Sequence, residues 1–394
     1  MVAHQEPNWS ATMTMSIARL SVRSGLKYLF KSTMLDDVSP TPPDTISYYM
    51  QTGTPQGLWL GNGLQGIARE AGDNVTESDA RAIFQDAAHP DSKDPLGRPH
   101  GQPPISQEAS EQKATKHAVA GFDLTFSVPK SVSALWALSQ RNLQEQILRT
   151  HHEAIQATLV WMEEQVINTR SGRNGVAHVG TRGVIAAAFD HWESRAGDPQ
   201  LHTHVVIANR VQRITDGAWV TLDSRSLYKA VVAASEHYNG LLFDALHTSL
   251  DTETDIRAPA LNTHNPSQQL TGIAEALIRE FSNRSRLIDI ETDRLVNQWT
   301  TEHGTPPTAT TIVRLRQQAT LSTRTPKSAS PSPLRLLSAQ WRDRAKAKGF
   351  DPESVVASTI RRSRSRPFRI GDFAPDWIAA VGLVTRQSVA AKRS

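Results

Sequence analysis

Apolar and polar side chains alternate from Met15 to Val22, with Ile17, Leu20 and Val22 as candidate core positions, which is the period of a half-buried strand. Residues 119–128 are apolar almost throughout and read as a core strand, broken only by the carboxylate of Asp123. Pro129 stands where a helix would begin, and residues 131–138 start one. Over 142–167, Leu143, Ile147, Ile155, Leu159 and Met162 recur at helical spacing among Glu, Gln and Arg, predicting a long amphipathic helix. Strands are expected at about 176–190 and 201–213 and again at 219–222, followed by a helix over 226–250. From 270 onward the pattern becomes helical and charged, with helices expected at 270–281, 291–303, 310–321 and 334–348. Pro306 and Pro307 break that run, and 322–333, rich in Ser, Thr and Pro, reads as a linker.

Long helices mixed with consecutive, hairpin-linked strands predict an α+β fold. Residues 33–45, with Pro40, Pro42 and Pro43, read as a loop, and the polar stretch 86–116 reads as a long functional excursion. Four segments are expected: an N-terminal extension over 1–14 without order, a catalytic core over 15–265, a helical extension over 266–356, and a basic tail over 357–394 without order. Translation is expected to start at Met13 or Met15; an intact mass of the natively expressed protein that includes residues 1–12 would overturn this.

With 394 residues the chain can bury a large core. It has no 18-residue apolar run and no secretory signal pattern, so a cytoplasmic protein without membrane insertion is expected. Zero Cys rules out disulfides and thiolate metal sites. The net charge of +4 hides an uneven distribution, because residues 361–394 carry eight Arg or Lys against two Asp, a pattern that attracts polyanions.

The densest chemistry lies between Asp190 and His204. His202 and His204 alternate just before the apolar run Val205-Val206-Ile207-Ala208, so both imidazoles project from one strand face. His191 follows the apolar run Ile185-Ala186-Ala187-Ala188-Phe189, and a hairpin through Gly197-Asp198-Pro199 would return it beside the pair. Three neutral imidazoles on a sheet hold one divalent ion and leave positions open for substrate oxygens. Next to a phosphate such an ion is a Lewis acid, and the reaction then needs a nucleophile. Three of the five tyrosines fall early, at Tyr28, Tyr48 and Tyr49, and an activated phenolate forms a stable phosphodiester with DNA. Asp123, in its apolar strand, needs a partner, which a histidine or a metal-bound group would supply. Gly25 to Ser32 imitates a phosphate-binding loop, but Phe30 stands where the second glycine is required, so no nucleotide hydrolysis is expected.

Two segments resemble signatures of the relaxase domain of MobF-type conjugative relaxases: Gly121-Phe122-Asp123-Leu124-Thr125-Phe126-Ser127-Val128-Pro129-Lys130-Ser131-Val132-Ser133 and Pro199-Gln200-Leu201-His202-Thr203-His204-Val205-Val206-Ile207-Ala208-Asn209. The likeness continues through Phe281-Ser282-Asn283-Arg284-Ser285 to Trp341 and Gly349-Phe350-Asp351, covering about Met15 to Val356. The resemblance implies a five-stranded antiparallel sheet flanked by helices. It makes His191, His202 and His204 the metal ligands and gives Asp123 the task of orienting a ligand histidine or taking the tyrosine proton. It also assigns Lys130 and Arg195 to DNA phosphates.

The implied activity is nicking of one strand at a plasmid transfer origin, with a 5′-phosphotyrosine and a free 3′-hydroxyl, followed by religation. Three imidazoles tolerate Mn, Co, Ni or Zn, and the resemblance points to Mg2+ or Mn2+ in cells. Implied partners are single-stranded DNA and the hairpin of a transfer origin, accessory relaxosome proteins, a coupling protein and a separate helicase, the chain itself acting as a monomer. The chain departs from the family in its tyrosines: members commonly carry two close pairs, whereas Tyr28 stands twenty residues before Tyr48. Tyr28 is the favoured first nucleophile, ahead of Tyr48 and then Tyr49. The competing readings are a rolling-circle replication initiator with the same chemistry and a non-catalytic DNA-binding remnant.

Overall fold

A computed structural model describes residues 14–22, 56–100, 118–172, 175–257, 267–324 and 333–360. Five strands form the central sheet: β1 (Met15–Ser21), β2 (Leu58–Leu60), β3 (Val119–Ser127), β6 (Ala186–Glu193) and β7 (Pro199–Ala208). Their order is β1-β3-β7-β6-β2, with every neighbouring pair antiparallel. Three two-stranded ribbons accompany it: β4 (Asn168–Ser171) with β5 (Ala177–Gly180), β8 (Val211–Gln212) with β9 (Trp219–Val220), and β10 (Thr254–Arg257) with β11 (Ser267–Leu270). Among the described residues the α-helices are α1 (Glu77–Ala80), α2 (Lys130–Leu138), α3 (Arg141–Gln165), α4 (Ser224–Leu250), α5 (Glu275–Glu280), α6 (Asn283–His303), α7 (Ala309–Ser322), α8 (Leu334–Ala347) and α9 (Pro352–Ile360). The α+β class and the five-stranded antiparallel sheet expected from the sequence are observed.

Alternation on the strands sends side chains to two different layers. Phe122, Leu124 and Phe126 of β3 and Leu201, Val205 and Ile207 of β7 point into a large core shared with α2, α3 and α4. That core also takes in Phe281, Leu334, Leu337 and Trp341, so the helices near the C-terminus bury their apolar faces against the same layer. Trp136 lies between Trp192 and Trp341, with ring centroids at 5.5 and 5.8 Å, an aromatic stack that joins α2, β6 and α8. The opposite face, through Ala187, Phe189, Val206 and Ala208, packs on Trp59, Leu64, Ile67, Ile83 and Phe84 from the segment over 56–100. Further along the same strands this second face carries polar residues.

Two glycines make the geometry of the sheet possible. At Gly121 a Cβ would lie 2.2 Å from the carbonyl oxygen of Ile207, so only glycine lets β3 and β7 approach so closely there. Gly197 takes φ +72° in the turn between β6 and β7, where its N–H donates to Ser194 O at 3.0 Å.

Several predicted elements are corrected. The strand expected over 176–190 is two strands, split around Gly183, whose φ of +101° turns the chain from the β4–β5 ribbon into the sheet. The helix expected over 270–281 is shorter: Leu270 closes β11, and helix begins only at Glu275. Leu270 is apolar because it enters the large core from a strand, a periodicity that a single apolar position does not distinguish from a helix. The helix expected from 291 starts earlier, at Asn283. The final helix runs to Ile360. The extension over 1–13, the loop over 33–45, the stretch over 101–117 and the tail over 361–394 lie outside the described residues, as do Tyr28, Tyr48 and Tyr49.

Candidate metal centre

The β6–β7 hairpin pairs His191 with His202 and Phe189 with His204, so the expected hairpin does return the first histidine to the pair. All three imidazoles stand on the face of the sheet away from the large core, beyond the apolar patch of Phe189 and Val206. One nitrogen from each lies within 4.8 Å of the others, and the ring centroids are 5.0 to 5.4 Å apart.

Partners of the remaining ring nitrogens decide which face of each ring looks inward. His204 Nδ1 lies 2.9 Å from both carboxylate oxygens of Asp123, diagonally across β3 and β7, and 3.1 Å from the hydroxyl of Thr125, its directly paired residue. An ionised carboxylate only accepts, so Nδ1 carries the proton and Nε2 keeps its lone pair for the shared space. His202 Nδ1 donates to the backbone oxygen of Gln200 at 2.7 Å, which likewise turns its Nε2 lone pair to the shared space. Burial, followed by the neighbouring His204, pushes the His202 imidazole down to about 4, so it is neutral at physiological pH. Neutral rings with the far nitrogen anchored to a carboxylate or carbonyl are the donor set expected around a divalent ion. The residues present therefore fit a metal.

The structure brings Asp123 to this centre and holds Lys130 and Arg195 close to its hairpin. Lys130 opens α2, and its ammonium donates to Pro199 O at 2.9 Å; burial lowers its titration to about 8. Arg195 sits in the hairpin turn, near enough to Arg284 that its charge, after burial and alongside Arg324, lowers the Arg284 pKa. The hairpin tip is fastened from outside. Asp198, with no exposure, accepts from the Asn283 side chain at 2.9 Å and the Arg284 backbone at 3.0 Å, and pairs with Arg344 at 3.1 Å. Trp341 Nε1 donates to Gly197 O at 2.9 Å.

Sequence reasoning missed Thr125, Asp190 and Asp198. Asp190 precedes His191 on β6 and Asp198 lies in the turn before β7, and polar residues beside a ligand cluster were the available signal.

The family profile described as TrwC relaxase matches residues 22–348. The chain belongs to the TrwC relaxase family. The multifunctional conjugation protein TraI of Escherichia coli is 30% identical over 250 residues, which is 62% of this chain and 13% of TraI. The chain thus corresponds to a small part of the length of that relative. Among solved structures, the conjugative relaxase TrwC in complex with oriT DNA, copper-bound, superposes with a TM-score of 0.63 at 22% identity, over 86% of this chain and 99% of that one. A metal-bound structure of TrwC with oriT DNA gives a TM-score of 0.61 at 24% identity with the same coverage. These likenesses establish the relaxase fold for this member of the family.

Proposed function

We propose that this member of the TrwC relaxase family is a metal-dependent, site-specific single-strand DNA endonuclease and strand transferase acting at a plasmid transfer origin. The observation that carries the reading is the convergence of His191, His202 and His204 on one sheet face, with Asp123 behind His204. That geometry is joined to a family whose solved member TrwC is described in complex with oriT DNA.

His191, His202 and His204 would hold the ion, Mg2+ or Mn2+ in cells. When bound, it supplies Lewis-acid polarisation of the non-bridging oxygens of the scissile phosphate. Asp123 keeps the His204 ring in the tautomer that exposes Nε2. A tyrosine oxygen, from Tyr28 in the first instance and otherwise Tyr48 or Tyr49, gives up its proton and forms a bond to phosphorus while the bond to the 3′-oxygen breaks and that oxygen takes up a proton. The products are a 5′-phosphotyrosine and a free 3′-hydroxyl, and attack by that hydroxyl reverses the step. Arg195, with Arg284 and Arg324 beside it, supplies positive charge for DNA phosphates next to the hairpin. Lys130 braces the hairpin from the other side while keeping its charge near neutral pH.

Residues 15–265 act as the catalytic core and 266–356 as a helical extension that grips the substrate, in a cytoplasmic monomer. The DNA partner is single-stranded, with the recognition hairpin of the origin; a structure of TrwC is described with a 27-mer comprising such a hairpin and the cleavage site. Accessory relaxosome proteins, a coupling protein and a separate helicase complete the assembly.

The test is incubation with labelled single strands tiling the transfer origin of the protein's own plasmid, with Mg2+ or Mn2+, followed by denaturing gels and peptide mass spectrometry. A covalent DNA adduct on Tyr28 or Tyr48, abolished by joint replacement of His202 and His204 with Ala, is the expected result. Tight binding without any adduct in either metal would refute the enzymatic reading.

A further inference from the structure

Directly behind the three histidines, on the opposite face of the same two strands, lies a chain of buried polar groups. Cross-strand rungs of the β6–β7 hairpin alternate between faces. The rung His191↔His202 points to the metal centre, and the next rung, Asp190↔Thr203, points to the core. There the Thr203 hydroxyl donates to Asp190 Oδ1 at 2.5 Å. Two adjacent histidines of α3 complete the arrangement. His152 Nε2 lies 3.0 and 2.9 Å from the two oxygens of Asp190, and His151 Nε2 lies 2.9 Å from the Thr203 hydroxyl. His151 Nδ1 is in turn 2.7 Å from the Tyr238 hydroxyl of α4.

The proton direction along this chain follows from the inventory of donors. Asp190 can only accept, so the single Thr203 proton goes to it. His151 Nε2–H must then donate to Thr203, His151 Nδ1 must accept, and Tyr238 O–H must donate. His151, Thr203 and Tyr238 are each no more than 1% exposed. A cluster of this kind, in a core otherwise filled with Leu, Ile, Val and aromatic residues, stabilises the fold less than apolar packing of the same volume would. What it does provide is directionality: it is satisfied in one register of β6, β7, α3 and α4.

Register is what the metal centre depends on. A slip of one residue between β6 and β7 would send His191 to the core while leaving His202 outside. The ladder is already irregular immediately beyond the histidine rung, between His191 and Glu193. The Asp190–Thr203 rung is therefore the last side-chain lock before the pairing loosens.

We propose that Asp190, Thr203, His151 and Tyr238 are positioning residues that set the spacing of His191 against His202 and His204, and so set the affinity of the centre for a divalent ion. The proposal rests on the metal reading of the three histidines. Thr203→Val keeps the volume of the side chain but removes the hydroxyl, which leaves the buried His151 N–H without its acceptor and Asp190 Oδ1 with His152 alone. Thr203→Ser restores the hydroxyl.

The experiment is a calorimetric titration of the full chain with Mn2+, with a thermal melt of each metal-free protein alongside. Wild type and Thr203→Ser should bind with similar affinity, and Thr203→Val should bind at least about tenfold more weakly, within the range found when partners of metal ligands are removed. Thr203→Val that melts at a lower temperature but binds Mn2+ like wild type would overturn the proposal and leave the metal reading intact. Asp190→Asn, which keeps the volume and one acceptor oxygen, gives a second measure should Thr203→Val fail to fold, and wild-type affinity in that variant overturns the proposal equally. A wild-type protein that binds no Mn2+, Mg2+ or other divalent ion would overturn the metal reading, and the positioning role with it.

Discussion

At the scale of single residues, the histidine–carboxylate contact is the most exposed point of the reading. Asp123 is the acceptor for His204 Nδ1, with Thr125 close by, and its loss would free the ring to rotate or to change tautomer. Asp123→Ala is expected to weaken binding of Mn2+ by about 10- to 100-fold. Calorimetric titration checks this, and an unchanged affinity would show that Asp123 does not orient the ring. Asp123 was legible in the sequence because a carboxylate in an apolar strand demands a partner. Thr125 was not, because a threonine in a strand is commonplace and only the Thr125↔His204 pairing makes it informative. Asp190 and Thr203 escaped for a related reason: their importance lies in facing α3, and the sequence does not say which helix covers which face.

At the scale of elements, the β6–β7 hairpin is the unit that carries the centre, and it is fixed at both ends. Its base pairs in regular antiparallel register with β3 and β2, and its tip is fastened to α6 and α8 through Asp198, Gly197 and Trp341. Asp198→Ala would leave the Arg284 N–H at the start of α6 without its acceptor and the Asn283 amide with Glu280 O alone, costing on the order of 1–3 kcal/mol. Faster limited proteolysis between α6 and α7, with the β-sheet core still protected, is the expected pattern; an unchanged digestion profile would show that the arm is held by its other contacts. The close approach of β3 to β7 makes a second demand. Gly121→Ala would press a Cβ against Ile207 O and is expected to lower stability by about 1–3 kcal/mol in urea unfolding. The hairpin itself was legible, since two apolar runs flank a Gly-Asp-Pro turn, whereas its fastening to α6 and α8 spans more than eighty residues of sequence and has no local signature.

For the whole molecule, the largest core runs from β1 through α2, α3 and α4 to α8 and α9, and buried ionisable groups make stability depend on pH. Burial holds the His151 imidazole down to about 3, and burial likewise holds His100 and His202 to about 4. In the unfolded chain these rings protonate near the ordinary value of about 6.5. As pH falls from about 6.5 to about 4 only the unfolded state takes up their protons, so stability is lost through that window, at about 1.4 kcal/mol per pH unit for His151 alone. His152, whose pKa burial would lower but the Asp190 charge raises, titrates above the window and does not offset the fall. Denaturation midpoints of the metal-free protein should therefore drop between pH 6.5 and 4, less steeply in His151→Asn; a flat profile would refute the account. The sequence alone determined the α+β class, the positions of the two longest helices, α3 and α4, the histidine pair on one strand face and the turn that brings back the third. Each of these follows from side-chain periodicity or turn chemistry within a short stretch of chain. Only the tertiary structure decided that Asp123 meets His204, that α3 and α4 supply a polar lock behind the metal face, and that α6 and α8 close on the hairpin tip. Those relations are set by which faces pack together, and packing partners are chosen by shape and burial across the whole fold rather than by any local pattern.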